Sequence, residues 1–241
     1  MQQHTKMWLL FLLGPGLLLT AQASSPAGGE VELDEARVFI EFNATDGDFG
    51  LQLFWDGDAW DKMRIEDPAG KAILKVHAGG SLKDQGLTEG FFESDEPSAQ
   101  ELSMEEFFER FPEGEYGFEG TTLEGDDLTG EAQLTHTLPA PPQNLWPAEG
   151  ALVDAGLPLI ASFDAVLADL RGDLLVPALY QVVVEVDDDH LFSVTLPGDA
   201  AAPSVTVPPE FLEDGMEYKL EVIAQEEGGN RTISETTFFT L

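Results

Sequence analysis

Between Tyr218 and Ala224 the side chains alternate. Tyr218, Leu220, Val222 and Ala224 take one side, and Lys219, Glu221 and Ile223 the other. A period of two is the signature of an extended strand with a distinct inner face. Glu226-Glu227-Gly228-Gly229-Asn230 reads as a turn, and a second extended run at 232–240 closes the chain. Further strands are predicted at 157–163, 180–186, 191–196 and 204–207, with an edge strand near 144–146. That makes about seven, the number expected of an immunoglobulin-like sandwich.

The same reading applies upstream. Residues 38–42, 51–55, 62–66 and 71–78 are strand-like, separated by Asp46-Gly47, Asp56-Gly57 and Asp67-Pro68-Ala69-Gly70. Asp-Gly pairs favour hairpins, and the last tetrapeptide fits a type I turn position by position. One helix interrupts the strands. Ser103-Met104-Glu105-Glu106 is a capping box, and Met104, Phe107, Phe108 and Phe111 form one apolar stripe that ends at Pro112. Such a stripe packs on a core. Strands resume at 114–118 and 131–136.

The predicted architecture is all-β: two immunoglobulin-like antiparallel β-sandwich domains, the first with one short helix. Residues 1–23 read as a signal peptide: Lys6, an apolar stretch at 8–19 shorter than a membrane span, then Ala21-Gln22-Ala23. Residues 24–29 are a disordered leader. Residues 30–138 form the first domain, Pro139-Ala140-Pro141-Pro142 a stiff linker, and 141–241 the second domain. Secretion or a periplasmic location follows, with no membrane insertion after cleavage.

The second domain resembles the fibronectin type III family over nearly all of 141–241. The resemblance rests on the Pro141-Pro142 start, Phe163, Tyr180, Pro208-Pro209, the Tyr218 strand, the Gly228-Gly229-Asn230 turn and the closing strand. It implies that Tyr218 is a tyrosine corner, hydrogen-bonded to the preceding loop. Phe163 stands where the family usually has tryptophan. The resemblance implies spacer or protein-contact roles rather than catalysis.

Charge narrows the partners. The sequence holds 46 acidic and 11 basic residues, a formal net charge of −35, and no cysteine. The excess runs through both halves, so it reads as adaptation to a salty environment rather than as an acidic tail. Nucleic acid and anionic lipid are repelled; a protein or polysaccharide partner is not. Stability has to come from burial, since disulfides are impossible.

Candidate chemistry sits mostly in the first domain. Asp46, Asp48, Asp56, Asp58 and Asp61 are carboxylates in or beside tight turns, the type of donor calcium takes. They lack the EF-hand spacing, and a straight strand at 51–55 would hold the two turns about 20 Å apart. The plainer reading is that Asp-Gly simply turns the chain, and it extends to Asp187-Asp188-Asp189. Trp55 and Trp60 are candidate ligand-binding aromatics, with core tryptophan as the alternative.

Arg171-Gly172-Asp173 matches a short adhesion tripeptide, but lies before the third strand of its domain rather than between the last two. Its plainer reading is a loop with a local ion pair. Asn43-Ala44-Thr45 and Asn230-Arg231-Thr232 are glycosylation sequons. No hydrolase, metalloprotease or nucleotide-binding motif occurs, and His77, His136 and His190 join no recognisable constellation. The leading expectation is a secreted, non-enzymatic binding, adhesion or spacer protein without a cofactor. The alternatives are a calcium-stabilised module for carbohydrate or protein, and a hydrolase using paired carboxylates.

Overall fold

The computed structural model describes residues 28–186 and 190–241; the signal-peptide reading and Asp187-Asp188-Asp189 lie outside them. The expected all-β class is found. In the first half, β1 (Glu30–Glu32), β2 (Glu35–Asn43), β3 (Asp48–Glu66) and β4 (Ala72–His77) are followed by α1 (Gly80–Gln85) and β5 (Leu87–Glu93). Then come α2 (Met104–Arg110), β6 (Gly114–Thr122) and β7 (Asp127–Leu134). The second half holds β8 (Ala151–Val153), β9 (Leu159–Ser162), β10 (Leu179–Val186) and β11 (His190–Pro197). It ends with β12 (Ser204–Val207), β13 (Glu217–Gln225) and β14 (Arg231–Thr240).

Two expectations need correction. Residues 51–55 and 62–66 are not separate strands joined by an Asp56-Gly57 hairpin; both belong to the nineteen-residue β3. Gly57 is there for closeness, because a Cβ on it would meet Leu33 Cδ2 at 2.9 Å. The long strand changes partners midway. Its first part pairs with β2 and β5, its last part with β4 and β6, and the registers with β5 and β6 shift around Trp60. By contrast, Asp46-Gly47 does turn the chain, with Gly47 at φ 74°. The second correction is β5, a strand that alternation did not reveal, preceded by α1, a helix beyond the single one expected. Its Gly90 lies against the Trp55 ring, where a Cβ would approach Cζ2 to 2.1 Å. A side chain there would exclude the tryptophan.

Two hydrophobic cores result. The first gathers Trp55, Trp60, Phe118, Phe49 and Phe107, with Phe107 supplied by α2 through the expected capping box. Phe49 meets Phe107 edge-on at 5.0 Å, and Trp55 stacks on Phe92 at 5.3 Å. The second core gathers Tyr180, Val182, Val184, Leu220, Val222 and Phe238. Here the small β9–β12 sheet faces the sheet run β11-β10-β13-β14. Tyr218 Oη accepts from Glu213 N at 2.8 Å and donates to the Phe211 carbonyl at 3.3 Å. That is the corner the resemblance implied.

One sheet runs through both halves. β14 pairs with β13 along its length, and also pairs in parallel with β2, Arg231–Ile233 against Glu41–Asn43. The seam is locked by side chains. Asn230, 2% exposed, accepts from Ile40 N at 2.8 Å and donates to the Thr135 and Thr137 carbonyls at 3.0 Å. Arg231, equally buried, donates to Gln52 Oε1 at 2.9 Å, pairs with Glu41 at 3.2 Å and lies 4.5 Å from the Phe39 ring centre. Thr232 Oγ1 donates to the Pro139 carbonyl at 2.7 Å.

The proline-rich segment is therefore anchored. Leu138 is buried in the first core, and the Ala140 amide donates to the Ala168 carbonyl. The second sequon is corrected too: its asparagine amide is buried and committed to the seam. Asn230→Ala would strand the Ile40 amide and two carbonyls. We expect a loss of about 2–4 kcal/mol, read as a lower urea midpoint at unchanged slope. A wild-type midpoint would mean the seam carries little energy.

Candidate functional site

The aromatic candidates are corrected first. Trp55 is 0% and Trp60 3% exposed, packed edge-to-face at 5.7 Å inside the first core. Neither presents a ring to a ligand, because β3 aims both at the interior.

The five aspartates do not converge. Asp46 is exposed at the β2–β3 turn, where Asn43 Oδ1 accepts from the Thr45 and Asp46 amides. Asp48 begins β3, and Asp56 lies eight residues along it, roughly 25 Å for an extended strand. Asp58 is exposed. Asp61 forms an ion pair with Lys83, and that hydrogen bond holds its carboxyl below the ordinary range. Among the described residues, the group of three whose carboxylate oxygens lie within 4.8 Å of one another is Glu41, Glu93 and Glu96. Sequence reasoning missed it, because its members come from β2, β5 and the following loop. Glu41 already faces the Arg231 guanidinium.

Other polar groups serve the framework. His136 stacks on Phe108 at 3.9 Å, with Nε2 2.8 Å from the Phe111 carbonyl oxygen. Asp169 Oδ1 accepts from the Arg171 and Asp173 amides at 2.9 Å. That capped turn holds the Arg171-Gly172-Asp173 loop. Next to the seam, Lys219 Nζ lies 2.6 Å from Glu221 Oε1 and 3.7 Å from Glu185 Oε2. Burial pushes the Glu221 carboxyl up to about 7, with Lys219 only partly opposing it. Burial likewise raises Glu235, whose Oε1 accepts from Asn43 Nδ2 at 2.8 Å.

The cationic residues gather on the outer face of β3 and β4. Lys62 sits directly opposite His77, and Arg64 directly opposite Lys75. Continuing outward, Lys62 aligns with Thr121 and then Asp127 and Glu30; Arg64 aligns with Glu119 and then Thr129. These side chains line a groove of about 820 Å³. The signal was present in the sequence as Lys62-Met63-Arg64 and Lys75-Val76-His77, two runs with a basic side chain at every second position. The pairing of the two strands brings them together.

Glu221 supplies a pH prediction. A carboxyl raised from 4.5 to about 7 in the fold stabilises fully below its unfolded value, and that contribution is lost as pH rises through about 7. Glu221→Gln should therefore be more stable than the parent at about pH 8, with the gap in thermal midpoint closing toward pH 5. A gap independent of pH would place the proton elsewhere.

No family model matches the chain, and no curated protein matches it. Similar solved structures include the chicken CNTN1 FN1-FN3 domains, at 10% identity and TM-score 0.35, covering 88% of this chain and 69% of that one. A two fibronectin type-III domain segment from chicken tenascin is 12% identical at TM-score 0.28, covering 85% and 97%. A tetra-tandem repeat in the extending region of a large adhesion protein is 13% identical at TM-score 0.30, covering 85% of this chain and 49% of that one. The chain thus spans about half the length of that repeat structure. With β9 and β12 facing the β11-β10-β13-β14 run and Tyr218 tied to the loop before it, residues 141–241 form a two-sheet β-sandwich with the tyrosine corner that the fibronectin type III resemblance implies.

Proposed function

We propose that the protein is a non-enzymatic binding or adhesion module that works outside the cytoplasm. The observation that carries this reading is the seam at Asn230 and Arg231. It joins the two halves into one continuous sheet, so the protein offers a stiff scaffold with fixed outer faces. Three of the polar groups that could do chemistry are spent on structure: His136 on Phe108, Asp61 on Lys83, Glu41 on Arg231. Export is supported by the leader pattern of Lys6, the apolar stretch and Ala21-Gln22-Ala23. No helix among the described residues is long and apolar enough to cross a membrane.

The purified protein, applied to immobilised polysaccharides and cell-envelope preparations, should be retained without altering them. Release of sugar or peptide fragments from the retained material would overturn the reading in favour of a hydrolase.

A calcium-stabilised module is the second reading, and the Glu41, Glu93 and Glu96 group is what favours it. The Arg231 guanidinium already supplies positive charge at Glu41. The remaining charge is spread over the whole surface, where any salt screens it. The thermal midpoint is therefore expected to rise equally in calcium chloride and in sodium chloride of matched ionic strength. A rise specific to micromolar calcium would establish the metal reading instead.

A further inference from the structure

The groove on the outer face of β3, β4, β6, β7 and β1 concentrates what this chain has least of. Only 11 residues of the sequence are basic, yet Lys62, Arg64 and Lys75 share one cross-strand block with His77. Like charges directly opposite each other on a sheet destabilise it. With 46 acidic residues available, a purely structural arrangement would interleave these cations with carboxylates. Arg64 has such partners, Glu66 and Glu119. Among the described residues, Lys62 and Lys75 have no ion pair, and the buried Arg64 Nε has no hydrogen-bond partner.

The opposite wall has the reverse character. Across five strands, about 19 Å at ordinary strand spacing, the groove passes from cations through Thr121 and Thr129, with Glu119 paired to Arg64 between them, to Asp127 and Glu30. An occupant must carry negative charge at one end and hydrogen-bond donors at the other. Nucleic acid does not fit: no phenylalanine, tyrosine or tryptophan lines the groove as a platform for bases, and the net charge opposes a dense polyphosphate. A neutral glycan leaves the cations unanswered. A sugar chain with widely spaced anionic groups meets both walls. Its acid groups accept from Lys62, Lys75 and Arg64, and its hydroxyls donate to Asp127 and Glu30 and exchange hydrogen bonds with the threonines.

We propose that this groove binds an acidic saccharide, with Lys62, Arg64, Lys75 and His77 holding its anionic group. The assignment rests on the reading of the protein as a binding module and names the ligand class of that module. The anionic group is a uronate carboxylate or a sulfate ester; both accept from the same cations.

The test is binding of the full-length protein to lightly carboxymethylated dextran, lightly sulfated dextran and unsubstituted dextran, measured by calorimetry at low salt and at high salt. One or both acidic polymers should bind, the neutral one should not, and salt should weaken the interaction. The double variant Lys62→Gln/Lys75→Gln should bind roughly tenfold or more weakly, with a thermal midpoint close to the parent's, so that the lost affinity does not reflect unfolding. Lys71→Gln, outside the groove, should bind like the parent.

Binding of the carboxymethylated dextran alone identifies a carboxylate ligand, and binding of the sulfated dextran alone a sulfate ester. Undiminished binding by the double variant would overturn the site. Failure of both acidic polymers to bind, while the protein is retained on some other material, would overturn the ligand class but leave the binding-module reading standing. Release of sugar fragments would overturn that reading itself.

Discussion

The structure depends on one buried asparagine and the arginine that follows it. β14 pairs with β13 and β8 within its own half, while its parallel partner β2 belongs to the other half of the molecule. A parallel pairing of three residues is too short to hold two halves together by itself. Asn230 adds donors and an acceptor that satisfy backbone groups of β2 and of the segment after β7. Arg231 adds a buried charge that is answered by Glu41, Gln52 and the face of Phe39. Buried polar networks of this kind rigidify when complete and are costly when broken. The result is a single continuous sheet where two separate domains joined by a stiff linker were expected.

This constraint also sets what the outer faces can do. The two halves cannot reorient freely, so side chains tens of residues apart keep fixed positions relative to one another. Against a background of −35, the few cations then act locally. Arg231 is drawn into the structure beside Glu41, and Lys219 lies beside the buried Glu221 and Glu185. Lys62 and Lys75 stay at the surface in a groove. The acidic background keeps dense polyanions away, so what reaches the groove is restricted to ligands of low charge density.

Much of the local structure was legible in the residues. The Tyr218 alternation became β13, Ser103 and Glu106 did form the capping box, and Asp46-Gly47 did turn the chain. These features depend on neighbours in sequence. The candidate site was less legible. Trp55 and Trp60 look the same in a linear reading whether they face a ligand or a core, and only the packing of Gly90 and Phe92 on Trp55 decides. The Asp56-Gly57 pair has the composition of a hairpin, yet Leu33 fills the space beside Gly57 and the strand runs straight on.

Alone, the sequence determined the all-β class, the acidic character, the short helix and the second half's fold, because each rests on periodicity, composition or local hydrogen bonding. The tertiary structure decided the rest. It turned a sequon into a structural lock, brought Lys62 and Arg64 opposite His77 and Lys75, and carried one sheet across both halves. Those outcomes are set by which strands become neighbours, a long-range choice made by burial and backbone pairing that no local run of residues encodes.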